Sequence, residues 1–176
     1  LDHQHKLIRD VEEMQSMINA ALAFFRDDTV LEHSTAFDLS ELLQTIIDDY
    51  RDQQLVVDFR GPPHLVYHGR PLALKRVVVN LLENAAKYAR HPSIALSVDD
   101  QRVCIEVNDE GPGIPEADLE RVFDPFFRLE TSRNRNTGGV GLGLSAARAI
   151  VREQGGELSL NNRRGSGLVA RVELPR

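Results

Sequence analysis

Asn80, Asn84 and Lys87 recur at steps of four and three within NLLENAAKYA (80–89), so two amides and an ammonium share one face of a helix. The intervening Val79, Leu81, Leu82, Ala85 and Ala86 suit the core instead. An amide oxygen is a neutral ligand for a hard cation, and an ammonium is a point charge suited to phosphate oxygens. The same amides could equally tie the helix to a neighbouring loop, so the stripe gains meaning only beside other segments. Lysine is found only at positions 6, 75 and 87 in a chain that otherwise uses arginine.

Two glycine segments supply that context. In DEGPGI (109–114), Asp109 leaves a strand where Gly111 and Gly113 allow backbone to approach a flat ligand, and its carboxylate can accept from an exocyclic amine. D-x-G-x-G alone fits an ordinary strand-to-helix turn as well. In GGVGLGLS (138–145), Gly139, Gly141 and Gly143 open a helix expected over 140–154, whose unpaired N–H groups and positive dipole end favour phosphate. A flexible hinge or a dinucleotide fingerprint are the competing readings. The fingerprint requires a preceding strand, whereas a polar loop precedes here, and no Walker-type Gly-Lys-Ser/Thr is present.

Between them lies FDPFFRLETSRNRNTGG (123–139), in which Phe123, Phe126 and Phe127 anchor a hinge and the almost wholly polar run 129–138 reads as a lid. Arg128, Arg133 and Arg135 are candidates for phosphate oxygens or an acidic partner, against the plain alternative of solvated loop charges. A triphosphate at the glycine-opened helix would bring Mg²⁺, which prefers oxygen ligands in an octahedron. Asn84 can offer its amide oxygen, Lys87 a charge, and Tyr88 a ring to lie against adenine.

The elements that must position these groups are legible in outline. Leu7, Val11, Met14, Ile18, Ala21 and Phe25 form a heptad seam over 1–27, an apolar stripe suited to a partner helix, and 28–36 reads as a linker. From 37 to 176 the pattern is mixed. Asp38 and Glu41 form a capping pair ahead of a helix, LVVDF (55–59) and LVYH (65–68) read as strands, and Pro71 opens the helix carrying the amide stripe. SIALSV and RVCIEVN form a hairpin, a short helix follows Pro115 over 116–122, and ELSLN with LVARVEL closes the chain as a last hairpin. The expected class is α+β, a two-layer α/β sandwich.

Composition bounds the rest. The 176 residues are 41% hydrophobic, 27% charged and carry a net charge of −6, which suits one ordinary domain with an appendage and disfavours nucleic acid as partner. The sole cysteine, Cys104, excludes an intrachain disulfide and a multi-cysteine metal site and fits a reducing compartment. No apolar run approaches the roughly 20 residues that span a bilayer, and neither a secretory signal nor an initiator Met stands at Leu1. The expectation is a soluble piece of a longer protein, with any membrane part outside it.

NLLENAAKYA, DEGPGI, FDPFF and GGVGLGLS, in this order and spacing, resemble the N, G1, F and G2 boxes of bacterial sensor histidine kinases, members of the GHKL superfamily. The likeness covers essentially the whole chain: 37–176 resembles the ATP-binding catalytic domain, and IRDVEEMQSMINAALAFFR is similar to the second helix of the dimerisation and histidine-phosphotransfer hairpin. The resemblance implies a Bergerat fold that binds ATP and Mg²⁺, with Asn84 as metal ligand and Asn80 and Lys87 beside the phosphates. It assigns Asp109 to the adenine amine and Tyr88 to the ring, with Gly111, Gly113, Ile114, Phe123 and Arg128 around the nucleotide. Gly139, Val140, Gly141, Leu142, Gly143 and Leu144 would face the phosphates. It further implies transfer of the γ-phosphoryl group to a hairpin histidine, homodimerisation, relay to a response regulator, and the cytoplasmic side of an inner-membrane sensor, with membrane contact only through other parts of the parent protein. His3 and His5, in LDHQHKLIRD, do not match the phosphoacceptor box, so the acceptor is expected outside this chain. Three alternatives remain. A hydrolytic GHKL-type ATPase would carry Glu where Asn80 stands, an anti-sigma-factor serine kinase would lack the heptad helix, and a non-catalytic nucleotide-sensing module would fail to label a supplied acceptor.

Overall fold

The computed structural model describes residues 2–25, 31–88, 91–129 and 141–176. Helix α1 (Asp2–Phe25) carries the heptad pattern, and Leu7, Val11, Met14 and Ile18 are each more than half exposed along it. Ala21 is half-buried, while the side chain of Phe25 lies outside the described residues.

Strand β1 (Thr35–Asp38) begins inside the stretch expected to be a linker and pairs antiparallel with β3 (Val66–Gly69). Nothing in the local pattern of TAFD marks a strand. The pairing sets Phe37 edge-on to Tyr67 at 6.0 Å, which anchors it from 30 residues away. Asp38 then caps α2 (Leu39–Asp52) as expected, accepting from the Glu41 amide at 3.2 Å. Strand β2 (Asp58–Arg60) is shorter and later than the apolar run that suggested it.

Helix α3 (Pro71–Tyr88), β4 (Ser93–Val98), β5 (Arg102–Asn108), α4 (Gly143–Glu153), β6 (Glu157–Asn162) and β7 (Leu168–Pro175) complete the fold. The five-stranded sheet runs in the order β2-β4-β5-β7-β6, antiparallel except for the β2–β4 pair. Alternation sends Ile94, Leu96, Val103, Ile105, Val107, Leu158, Val172 and Leu174 to one face. There they pack with Leu43 and Ile47 of α2, Leu74, Val78 and Leu82 of α3, and Ala147 and Val151 of α4. The opposite face bears Glu106 and Arg171, joined by a 2.8 Å hydrogen bond from Arg171 Nε. Helices on one side and polar side chains on the other make the two-layer sandwich.

Residues 116–122, expected as one short helix, form two 3₁₀ turns, Glu116–Asp118 and Arg121–Phe123. Helix α4 starts at Gly143, three residues later than expected, because Gly141 takes a positive φ of 76° that a right-handed helix cannot continue through.

Helix α3 has no capping side chain at Arg70, yet its first turn is not left open. Glu32, just beyond the undescribed 26–30, accepts from the amides of Leu72 at 2.8 Å and Ala73 at 3.0 Å. Glu32→Ala should therefore cost roughly 1 kcal/mol of stability in a urea titration, with Glu32→Gln recovering part of it. An unchanged midpoint in Glu32→Ala would remove the cap from the account.

Candidate functional site

The amide stripe on α3 faces the start of α4. Asn80 donates from Nδ2 to the carbonyl of Gly143 at 3.2 Å, so the residue expected beside phosphate also ties the two helices together. One turn later Asn84 is half-buried, and its side-chain amide makes no hydrogen bond among the described residues. Lys87 stands in the last turn of α3, half-buried. The side chain of Tyr88 lies outside the described residues.

At Gly143 an added Cβ would meet nothing within 4 Å, so the fold itself does not require this glycine. Leu142 gives no side-chain cap, and first-turn helix amides of this kind favour an anionic acceptor. Leu142 precedes the helix and its carbonyl accepts from Ser145 Oγ at 3.0 Å; Leu144 packs against the core. Gly139 and Val140, together with Arg133 and Arg135, lie outside the described residues.

Gly141 is required for packing. A Cβ there would sit 2.6 Å from the Phe127 carbonyl oxygen and 2.9 Å from the Phe126 carbonyl carbon. Phe126 adopts φ 66°, an uncommon conformation for an aromatic residue, and its amide donates to the Gly141 carbonyl at 3.0 Å. Phe126 and Phe127 are thereby held against Gly141. Phe123 is buried beneath Arg148, whose guanidinium carbon stands 4.1 Å from the ring centroid, so Phe123 acts here as a core anchor. Arg128 pairs through Nη1 with Glu13 of α1 at 3.6 Å, with its side chain only 16% exposed. A groove of about 500 Å³ beside Phe123 is lined by Glu120, Arg121, Ser145 and Arg148 among others, but by no residue of α3 or 109–114. It is separate from the amide stripe.

Asp109, at the end of β5, is 8% exposed. Its Oδ1 accepts from the amides of Gly111 at 2.9 Å and Leu168 at 3.2 Å, while Oδ2 has no partner among the described residues. Burial pushes its pKa above the ordinary carboxylate value; the Gly111 and Leu168 amides and the Arg163 charge oppose that shift. Gly111 and Ile114 are held from across the fold, Gly111 O by Ser166 Oγ at 2.7 Å and Ile114 by both ends of the Asn162 amide. Sequence patterns missed these partners: 48 and 55 residues separate them from the loop, and a turn such as NNRRGSG explains its own polar residues locally.

Asp109 Oδ2 and the Asn84 side-chain amide are thus polar groups without a hydrogen-bond partner among the described residues. A profile for the histidine kinase-, DNA gyrase B- and HSP90-like ATPases matches residues 69–176. The chain belongs to this family. It is 40% identical over 173 residues to the sensor histidine kinase GtrS of Pseudomonas aeruginosa, an alignment covering 98% of this chain and 36% of GtrS. Identity to the sensor protein CutS of Streptomyces coelicolor is 32% over 176 residues, covering 96% of this chain and 42% of that protein. The chain thus spans well under half the length of these curated relatives. Among solved structures, a mycobacterial sensor histidine kinase, MprB, superposes with a TM-score of 0.69 at 25% identity, over 81% of this chain and 97% of that one. The catalytic domain of histidine kinase ThkA does so with a TM-score of 0.69 at 28% identity and the same coverage.

For this family member, the raised pKa of Asp109 has a definite sign. Ionising a carboxyl whose folded pKa exceeds its unfolded value costs stability, so the penalty is present at neutral pH and is relieved as pH falls through the folded pKa. Asp109→Asn keeps an oxygen for Gly111 and Leu168 and should match or exceed the wild-type melting temperature at pH 7. It should also weaken ADP binding about tenfold or more, since an amine donor then meets an NH₂ group. Calorimetry for both quantities is the check, and a variant that binds ADP like the wild type would remove Asp109 from the site.

Proposed function

We propose that this chain is the Mg²⁺-ATP-binding catalytic part of a sensor histidine kinase, and that in its parent protein it delivers the γ-phosphoryl group to a histidine on a hairpin whose second helix is α1. The observation that carries the proposal is the Asn80–Gly143 contact, which joins the α3 stripe to the first turn of α4. Names of relatives as sensor histidine kinases support the reading.

The donor set suits Mg²⁺ in particular. No group of three His, Cys, Asp or Glu side chains that could cage a metal is found among the described residues. A neutral Asn84 oxygen suffices when nucleotide phosphates and water provide the remaining ligands. Bound there, Mg²⁺ would neutralise phosphate charge. The chain's own groups do the positioning: the α4 amides take phosphate oxygens, Lys87 adds a cation, and Asp109 Oδ2 accepts from adenine. Phosphoryl transfer depends chiefly on such placement and charge neutralisation, with the acceptor histidine supplying the nucleophile. Asn80 cannot take a proton from water, and general-base help is typically worth about 10² to 10⁴ in rate, so bound ATP should persist until an acceptor docks.

Dimerisation through the exposed α1 stripe, relay to a response regulator and a place on the cytoplasmic face of an inner-membrane sensor belong to the same proposal. None of the described helices is long and apolar enough to cross a membrane.

Incubating the chain with γ-labelled ATP and a separately produced histidine-bearing hairpin should label the hairpin with acid-labile phosphate. Asn84→Ala should reduce that label by about 10²-fold or more while leaving the circular dichroism spectrum intact. Saturable multiple-turnover hydrolysis without hairpin labelling, lost in Asn84→Ala, would instead establish a hydrolytic ATPase.

A further inference from the structure

The loop that carries Asp109 does little to hold itself. Among the described residues no backbone–backbone hydrogen bond involves residues 110–114, and Pro112 has no amide to give. Its polar groups are met from the end of β6 and the turn that follows it. Asn162 accepts from the Ile114 amide through Oδ1 at 2.9 Å and donates from Nδ2 to the Ile114 carbonyl at 2.6 Å, so one side chain pairs this residue as a neighbouring strand would. Ser166 Oγ donates to the Gly111 carbonyl at 2.7 Å, and Arg163 Nη1 donates to the Asp109 carbonyl at 3.2 Å.

The two segments also interlock sterically. Gly113 has φ 73°, and a Cβ there would lie 2.6 Å from Asn162 Oδ1. Gly167 has φ 110°, and a Cβ there would collide with the Asp109 carbonyl oxygen. Glycine is needed on both sides for the approach that the hydrogen bonds then fix.

We infer that Asn162 and Ser166 are specificity-determining positioning residues, which clasp residues 109–114 so that Asp109 Oδ2 points where only an exocyclic amine satisfies it. This rests on Asp109 being the base acceptor proposed above. Two backbone amides occupy Oδ1, so discrimination falls to the direction of a single oxygen. Adenine offers an amine to that oxygen, whereas guanine offers a carbonyl and would leave a buried acceptor opposed. Asn162 and Ser166 are both solvent-exposed, so their bonds add modestly to stability, and their effect lies in orientation.

The test compares dissociation constants for ADP and GDP, alongside melting temperature, in Asn162→Ala, Ser166→Ala, the double variant, Asn162→Asp and Ser166→Thr. The double variant should lose about five- to tenfold of the ADP-over-GDP preference with a melting shift of only a few degrees. Asn162→Asp, which keeps the acceptor and loses the donor, should lie between, and Ser166→Thr, which keeps the hydroxyl, should behave as the wild type. A purely structural role would lower melting temperature and leave the ratio of constants unmoved. Full preference in the folded double variant overturns the clasp, as does equal loss in Ser166→Ala and Ser166→Thr; that serine pair decides the matter alone if Asn162→Ala does not fold. A wild type with no preference for ADP overturns the role of Asp109 and the clasp with it, whereas preference retained in every variant overturns the clasp only.

Discussion

The hydrogen bond from Asn80 Nδ2 to the Gly143 carbonyl is the contact on which the proposed site depends, because it joins the helix that bears Asn84, the proposed metal ligand, to the helix start proposed to hold phosphate. Neither helix is sufficient alone: Asn84 offers one neutral oxygen, and an uncapped helix terminus offers partial charge. Their mutual placement comes from the shared sheet face, where α3 packs on β5 and α4 on β6 and β7, with Val78, Leu82, Ala147 and Val151 in one buried cluster.

Around that joint the molecule tolerates arrangements that stability alone would not select. Asp109 is a buried carboxylate with an unused oxygen, and Phe126 holds a left-handed backbone conformation. Each is over-determined by its surroundings: Asp109 by two amides and the Arg163 side chain, Phe126 by its hydrogen bond to Gly141 and the glycine that makes room for it. Arg128 reaches from the Phe-rich segment to Glu13 of α1, so the first helix and the nucleotide side of the domain already share one charge contact.

What could be read from sequence was what has a local period. The α3 stripe follows from 3.6-residue spacing, and β4 and β5 matched their expected bounds because SIALSV and RVCIEVN alternate cleanly. The family boxes made Asp109, Asn84 and Gly143 candidates before any coordinates. What escaped was set by partners far along the chain. TAFD is a strand because β3 pairs with it, α4 waits until Gly143 because Phe126 and Phe127 occupy the space at Gly141, and the Glu32 cap spans 40 residues or more. The Asn162 and Ser166 partners of residues 109–114 were hidden for the same reason, since turn chemistry alone accounts for asparagine and serine in that segment.

The central claim is that α3, residues 109–114 and the start of α4 close on a single nucleotide. Amide and side-chain amide NMR of the isotope-labelled chain, titrated with Mg²⁺-ADP, tests it most directly. The account predicts saturable shifts sharing one dissociation constant at the Asn80 and Asn84 side chains, at Gly111, Gly113 and Ile114, and at Gly141 to Leu144, with little change where β4 turns into β5. Shifts gathered instead around Arg148 and Glu120, or different constants for the three segments, would contradict it.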